Sequence, residues 1–150
     1  MNHRIYKLTG LVAILAFSVS LSRPSSIGME GYGQTASAAA YQIENSGAER
    51  YQARNAAQHL TLAFSPQEAE LKYPNGSGSL RLTGYGYGGE LSHPRQATLV
   101  SSGNRLEYQR GELTEWYLNQ PDGLEQGFTF ARRPAGARNG EPLAIALAVS

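Results

Sequence analysis

The sequence predicts an all-β domain, an antiparallel β-sandwich preceded by a helical signal peptide. Three observations point there. Seventeen Gly and seven Pro fall between short runs of apolar and polar residues. Leu60, Leu62 and Phe64 alternate cleanly with Thr61 and Ala63, the period of a half-buried strand. Leu113–Phe130 (LTEWYLNQPDGLEQGFTF) reads as a β-hairpin. Pro121 presets φ at the first corner, Asp122 can bond its own backbone, and Gly123 accepts positive φ where the chain re-enters the ladder. Thr114, Trp116 and Leu118 share a face on its first arm, and Leu124, Gln126, Phe128 and Phe130 on its second. The only Trp and two of the four Phe meet here, so this hairpin is expected to nucleate the core.

The elements follow in order. His3, Arg4 and Lys7 make a basic start, and Leu11–Leu21 is an apolar run the length of a secretory h-region, too short to span a bilayer. Ala36-Ser37-Ala38 offers a cleavage site, and an earlier cut near Ser22 is the alternative; an uncleaved membrane anchor is the competing reading. Residues 1–38 are therefore assigned to signal peptide and flexible c-region, and residues 39–150 to the sandwich. Cleavage after Ala38 removes Arg4, Lys7, Arg23 and Glu30 and takes the formal charge from +1 to −1. That balance favours neither nucleic acid nor an anionic membrane surface, and membrane contact is expected only through the signal segment. There is no Cys, so disulfides, thiol catalysis and lipoprotein attachment are excluded.

Tyr51–Asn55 reads as a strand by the alternation of Tyr51, Ala53 and Asn55, with helix as the alternative across residues 48–62. Leu60–Phe64, a turn at Ser65–Glu68, and Ala69, Leu71 and Tyr73 make a second hairpin. Pro74–Ser79 is a loop by composition. Leu80 and Leu82 open another strand, and Gly84–Gly89 (GYGYGG) continues it. A phosphate-cradling loop needs a strand before the glycines and a helix after them; no helical pattern follows, so the preferred reading is a bulged strand with close backbone approach. His93-Pro94 lies in a loop, Thr98–Val100 pairs briefly, Ser101–Asn104 turns, and Leu106 and Tyr108 lie on the next strand. Residues 132–142 form an exposed basic loop. Leu143–Val149 is apolar on both faces and is expected inside a sheet.

Together these segments resemble a known pattern. Its parts are Tyr51-x-Ala53-x-Asn55, Leu60-x-Leu62-x-Phe64-Ser65-Pro66, Leu80-x-Leu82-x-Gly84-Tyr85-Gly86-Tyr87-Gly88, Asn104–Tyr108, Thr114–Asn119, Gly123–Thr129 and Pro142-Leu143. The pattern is similar to the N-terminal β-rich region of large secreted bacterial proteins whose later part carries FG-GAP (integrin-alpha-like) or similar β-propeller repeats. The likeness covers about residues 48–150, and EWYLN…GLEQGFT is its most specific part. It implies a non-catalytic structural or interaction domain, secreted or at the cell surface, with downstream propeller repeats or other surface proteins as partners and no cofactor. No FG-GAP repeat and no Asp-x-Asp-x-Asp-Gly loop follows. Asp122 is the only Asp, so a calcium cage of that type cannot be built. A complete domain and an incomplete sandwich, the front of a longer protein, both remain open.

The chemistry-bearing residues admit sharper readings. Glu115 and Glu125 lie near each other in the hairpin and would serve a glycosidase if they faced one cleft; polar strand and turn positions, Asp122 included, are the preferred account. His59 and His93 lack spaced partners for zinc. Tyr85, Tyr87 and Tyr117, with Tyr32 and Trp116, would make a sugar-stacking platform if exposed on one face, giving a carbohydrate-binding module. No catalytic or metal-binding residue is assigned.

Overall fold

Alternation decides the architecture. The described residues form twelve strands and one 3-10 turn, and along Arg50–Asn55, Leu60–Phe64 and Arg105–Arg110, and at Leu80 and Leu82, buried side chains recur at every second position. The computed structural model describes residues 17–21, 38–87, 90–136 and 142–150; for residues 17–21 and Ala38 it gives the backbone alone. The strands are β1 (Phe17–Leu21), β2 (Glu44–Gly47), β3 (Arg50–Asn55), β4 (Leu60–Phe64), β5 (Ala69–Tyr73) and β6 (Gly76–Tyr87). They continue with β7 (Glu90–Ser92), β8 (Thr98–Ser102), β9 (Arg105–Arg110), β10 (Leu113–Gln120), β11 (Gly123–Phe130) and β12 (Leu143–Val149). The 3-10 turn spans Ala38–Tyr41.

Two sheets result. One runs β1-β11-β10-β9-β8, the other β12-β6-β5-β4-β3-β2, with β7 also paired to β6. Every pairing among them is antiparallel except β1 with β11. The inner faces meet in two apolar clusters. The first joins Leu62, Phe64 and Leu80 of one sheet to Leu99, Leu106, Tyr108 and Tyr117 of the other. The second joins Leu82 to Leu113, Phe128 and Phe130, with Tyr85, Leu143, Ile145 and Leu147 packed at its rim. Burying a side chain such as Leu62, Leu106 or Phe128 contributes about 1.5–3 kcal/mol each. The expected sandwich class holds.

The Trp-bearing hairpin forms with Gln120 paired to Gly123, so Pro121-Asp122 is the two-residue corner, and Gly123 adopts φ +141°. Its inward row is Leu113, Glu115, Tyr117 and Asn119 from β10, facing Leu124, Gln126, Phe128 and Phe130 from β11. Trp116 is buried but belongs to neither core cluster. It lies on the outer face of its sheet, directly across from Gly127. A Cβ at Gly127 would sit 2.1 Å from Trp116 Cζ2, so only glycine leaves room for the indole. The Arg105 guanidinium covers the indole at 4.4 Å from the ring centre, and Trp116 Nε1 donates to Thr129 Oγ1 at 3.3 Å.

Three further expectations change. Residues 76–79 are strand rather than loop, because β5 and β6 pair down to Tyr73–Gly76 and leave only Pro74-Asn75 to turn. Small residues fit this ladder, and the Tyr73 ring lies against Gly76. β12 sits at a sheet edge rather than inside, half-buried and paired among the described residues with β6 alone. Phe17–Leu21 of the expected helical leader is extended, zipped in parallel onto Gln126–Phe130 of β11. Its sequence FSVSL alternates apolar and polar, which suits a strand once β11 offers an edge. The rest of the leader and its cleavage sites lie outside the described residues. Among the described residues no helix is long and apolar enough to cross a membrane.

The GYGYGG segment is a bulged strand. Ala146 pairs with Gly84 and Leu147 with Leu82, so Thr83 is the extra residue, and its Oγ1 donates to the Ala146 carbonyl at 3.0 Å. The bulge resets the alternation, turning Tyr85 inward against Phe130 at 5.4 Å between ring centres. Gly86 lets β7 approach, since a Cβ there would sit 2.4 Å from the Glu90 carbonyl oxygen.

Gly127→Val is expected to destabilise the fold by about 1–3 kcal/mol, measured by urea denaturation, through overpacking against Trp116. Combined with Trp116→Ala, the same substitution should cost clearly less than the sum of the two single changes.

Candidate functional site

Inside the sandwich the described residues bring acid, base and hydroxyl groups together in one buried cluster. Period-two alternation along β10 turns Glu115 and Tyr117 toward the core, and register sets their neighbours. Glu115 lies across from Tyr108 of β9 and Phe128 of β11, while Tyr117 lies across from Leu106 and Gln126. Glu115 Oε1 accepts from Tyr117 Oη and from Gln126 Nε2, each at 2.9 Å. Gln126 Nε2 also donates to Tyr117 Oη at 2.9 Å, which fixes the amide orientation, because the flipped amide would set its oxygen against the carboxylate. Glu115 Oε2 pairs with Arg110 Nη2 at 3.2 Å. Arg110 Nη1 donates to the Arg95 carbonyl at 2.8 Å and so ties down the loop between β7 and β8. Arg110 Nε and Gln126 Oε1 have no hydrogen-bond partner among the described residues.

The rings close the cluster. Tyr117 packs between Phe64 at 5.4 Å and Tyr108 at 5.7 Å. Tyr108 Oη donates across the sandwich to the Glu68 carbonyl at 3.1 Å. Burial, reinforced by the neighbouring Glu115 charge, pushes both phenols well above their usual range near 10. Glu115 is 2 % exposed, and Tyr117 and Gln126 are 0 % exposed. Chemically the arrangement holds a charge and its counter-charge buried between the two sheets.

A second polar junction pins the tip of the hairpin. Asn119 Nδ2 donates to the carbonyls of Tyr41 at 2.9 Å and Arg54 at 3.0 Å, and its Oδ1 accepts from Asn55 Nδ2 at 2.9 Å. Asn55 Nδ2 also reaches the Gln120 carbonyl at 2.7 Å, and Asn55 Oδ1 accepts from the Gln58 amide at 3.1 Å. Both side chains are fully buried. They join β3 of one sheet to the β10–β11 turn of the other.

The residues singled out by sequence separate. Glu115 points inward, whereas Glu125, across from Leu118, points outward and accepts from Gln120 Nε2 at 3.0 Å. The two carboxyl groups lie on opposite faces of one sheet and share no cleft. Asp122 is an exposed corner residue of the hairpin. Tyr85, Tyr87 and Tyr117 form no common exposed platform: Tyr117 is in the core, Tyr85 packs on Phe130, and Tyr87 is half-buried under Arg133. Trp116 is capped by Arg105, and Tyr32 lies outside the described residues. His59 adopts φ +54° in the turn between β3 and β4, so its role there is conformational, and His93 is exposed in a loop. No group of three metal-ligating side chains occurs among the described residues. An open depression of about 250 Å³ lies between Glu68, Glu70, Lys72, Ser77, Ser79 and Ser150. In it Ser79 Oγ donates to Glu68 Oε2 at 3.0 Å, with no imidazole beside it.

Sequence reading missed Arg110 and Asn119 altogether. Their signal was the alternation itself, which places Asn119 on the Leu113 row. Comparison with protein-family models, curated proteins and solved structures gave no match.

The two tyrosines carry a pH dependence. A phenol whose folded-state pKa is raised favours folding below its unfolded value near 10, and that contribution is lost as pH rises beyond it. The tyrosines' contribution should be flat up to about pH 10 and then fall by roughly 1.4 kcal/mol per pH unit for each of them. Tyrosinate absorbance at high pH should appear together with unfolding, not before it. Asn119→Ala should cost about 1–3 kcal/mol in urea denaturation, because it removes the side-chain donor to the Tyr41 and Arg54 carbonyls and one acceptor of the Asn55 amide.

Proposed function

We propose that this chain is a non-catalytic exported structural or interaction domain, of the kind found at the front of FG-GAP repeat surface proteins. The observation that carries the reading is the sealing of its acid, base and hydroxyl cluster inside the sandwich, where it joins strands. The hairpin EWYLN…GLEQGFT, the most specific part of the resemblance, is the element this cluster holds. Export rests on the basic start and the apolar run Leu11–Leu21 before a small-residue cleavage motif. Its partners on this reading are downstream propeller repeats or other surface proteins. The carbohydrate-binding alternative loses its platform with Tyr117 in the core.

A fusion of residues 1–40 to a phosphatase active only outside the cytoplasm tests export. It should give activity in a bacterial host, and activity should vanish in the double variant Ile14→Arg and Leu15→Arg, which breaks the apolar run. Retained activity in that variant, or none in the parent fusion, would contradict the reading. Purified full chain should turn over no glycoside, ester or peptide substrate; turnover abolished by Glu115→Gln would overturn the non-catalytic assignment.

A further inference from the structure

We infer that the outer edge of β12 pairs antiparallel with β12 of a second copy of this chain across a two-fold axis. The inference deepens the interaction reading above by naming a partner, and rests on it.

Backbone parity sets the geometry. Ser150 and Ser79 exchange both N–H···O bonds at 3.3 Å, so Ser150 belongs to a hydrogen-bonded pair of the antiparallel ladder. The Ala146 carbonyl also faces β6, where Thr83 donates to it. By alternation, Ala144, Ala146, Ala148 and Ser150 direct their amides and carbonyls toward β6. Leu143, Ile145, Leu147 and Val149 direct theirs to the open side, where no described residue meets them. This edge is a template for an extended strand.

Its composition fits a copy of itself. The strand LAIALAV carries no charge and no Pro over seven residues. The other outer strands of the same sheet are guarded: β2 has four residues, Glu44 and a register shift, and β7 has three residues and Glu90. A two-fold axis at Ala146 sets Ile145 opposite the second copy's Leu147 and Leu143 opposite its Val149. All four residues whose backbone groups point outward then exchange both bonds, and no like charges meet. The same pairing covers apolar surface that the monomer leaves open. Leu143, Ile145 and Leu147 line the rim of the second core cluster yet are only half-buried, and Val149 is 51 % exposed.

Sedimentation velocity of the full chain over a concentration series, with hydrogen exchange read at single amides, tests this. The expected result is a reversible dimer in which the amides of Ile145 and Leu147 gain protection as the dimer fills. The double variant Ala144→Lys and Ala148→Lys places ammonium groups opposite one another on both sides of the axis. It should weaken the dimer by up to about 30-fold, two like-charge pairs at about 1 kcal/mol each. If that variant unfolds, Ala146→Lys, which opposes a single pair on the axis, gives the same reading with a smaller loss. A monomer at every concentration, an open-ended aggregate, or a dimer whose Ile145 and Leu147 amides stay unprotected would overturn the inference. None of those results would bear on the phosphatase-fusion test of export, so the two failures remain distinguishable.

Discussion

The fold depends on a carboxylate inside a β-sandwich that must never be left alone. Glu115 arrives in the core because strand alternation turns it there together with Leu113, Tyr117 and Asn119. Its burial is tolerable only because Arg110, Tyr117 and Gln126 converge on its two oxygens. Taking a charge out of water costs several kcal/mol, and an ion pair offsets that only when the remaining lone pairs are also satisfied. The partners come from β9, β10 and β11. A slip of one residue in either pairing would turn Gln126 or Arg110 to the other face and strand the charge. The cluster therefore specifies register where apolar residues alone would accept neighbours of similar size.

The Asn55–Asn119 junction performs the same task between sheets. Apolar packing presses the two layers together without direction. The two amides give direction, because each has fixed donors and acceptors and each finds backbone groups of a distant strand. The outer face adds a third lock, in which Trp116 needs a glycine across the strand and an arginine above it. Three unlike interactions thus converge on one hairpin, which leaves the edges of the sandwich as its adaptable parts. β11 is lined by the parallel strand β1, and the outer edge of β12 meets no described strand.

Much of this was legible in the sequence. Alternation placed β3, β4, β5, β9, β10 and β11, and Pro121-Asp122-Gly123 fixed the corner. Composition misled at residues 76–79, since Gly and Ser signal loops unless a paired strand holds them. It misled again at β12, where apolar residues on both faces suggested a central strand. Alternation tells which residues share a face but not which face is buried. That is why Trp116, the largest apolar side chain, went to the outside while Glu115 and Asn119 went in. The tyrosines failed as a platform for a related reason: the Thr83 bulge resets the phase of β6, and no local signal marks it. Glu115 and Glu125 looked paired by proximity in sequence, and register separated them.

The central claim is that Glu115 and Arg110 act as one structural unit. A double-mutant cycle with Glu115→Leu and Arg110→Met, read by urea denaturation, measures this directly. Each single change should cost about 3–5 kcal/mol, because it leaves the other charge buried without its partner, and the double variant should recover most of that loss. Additive costs, with the double variant as unstable as the sum of the singles, would contradict the account.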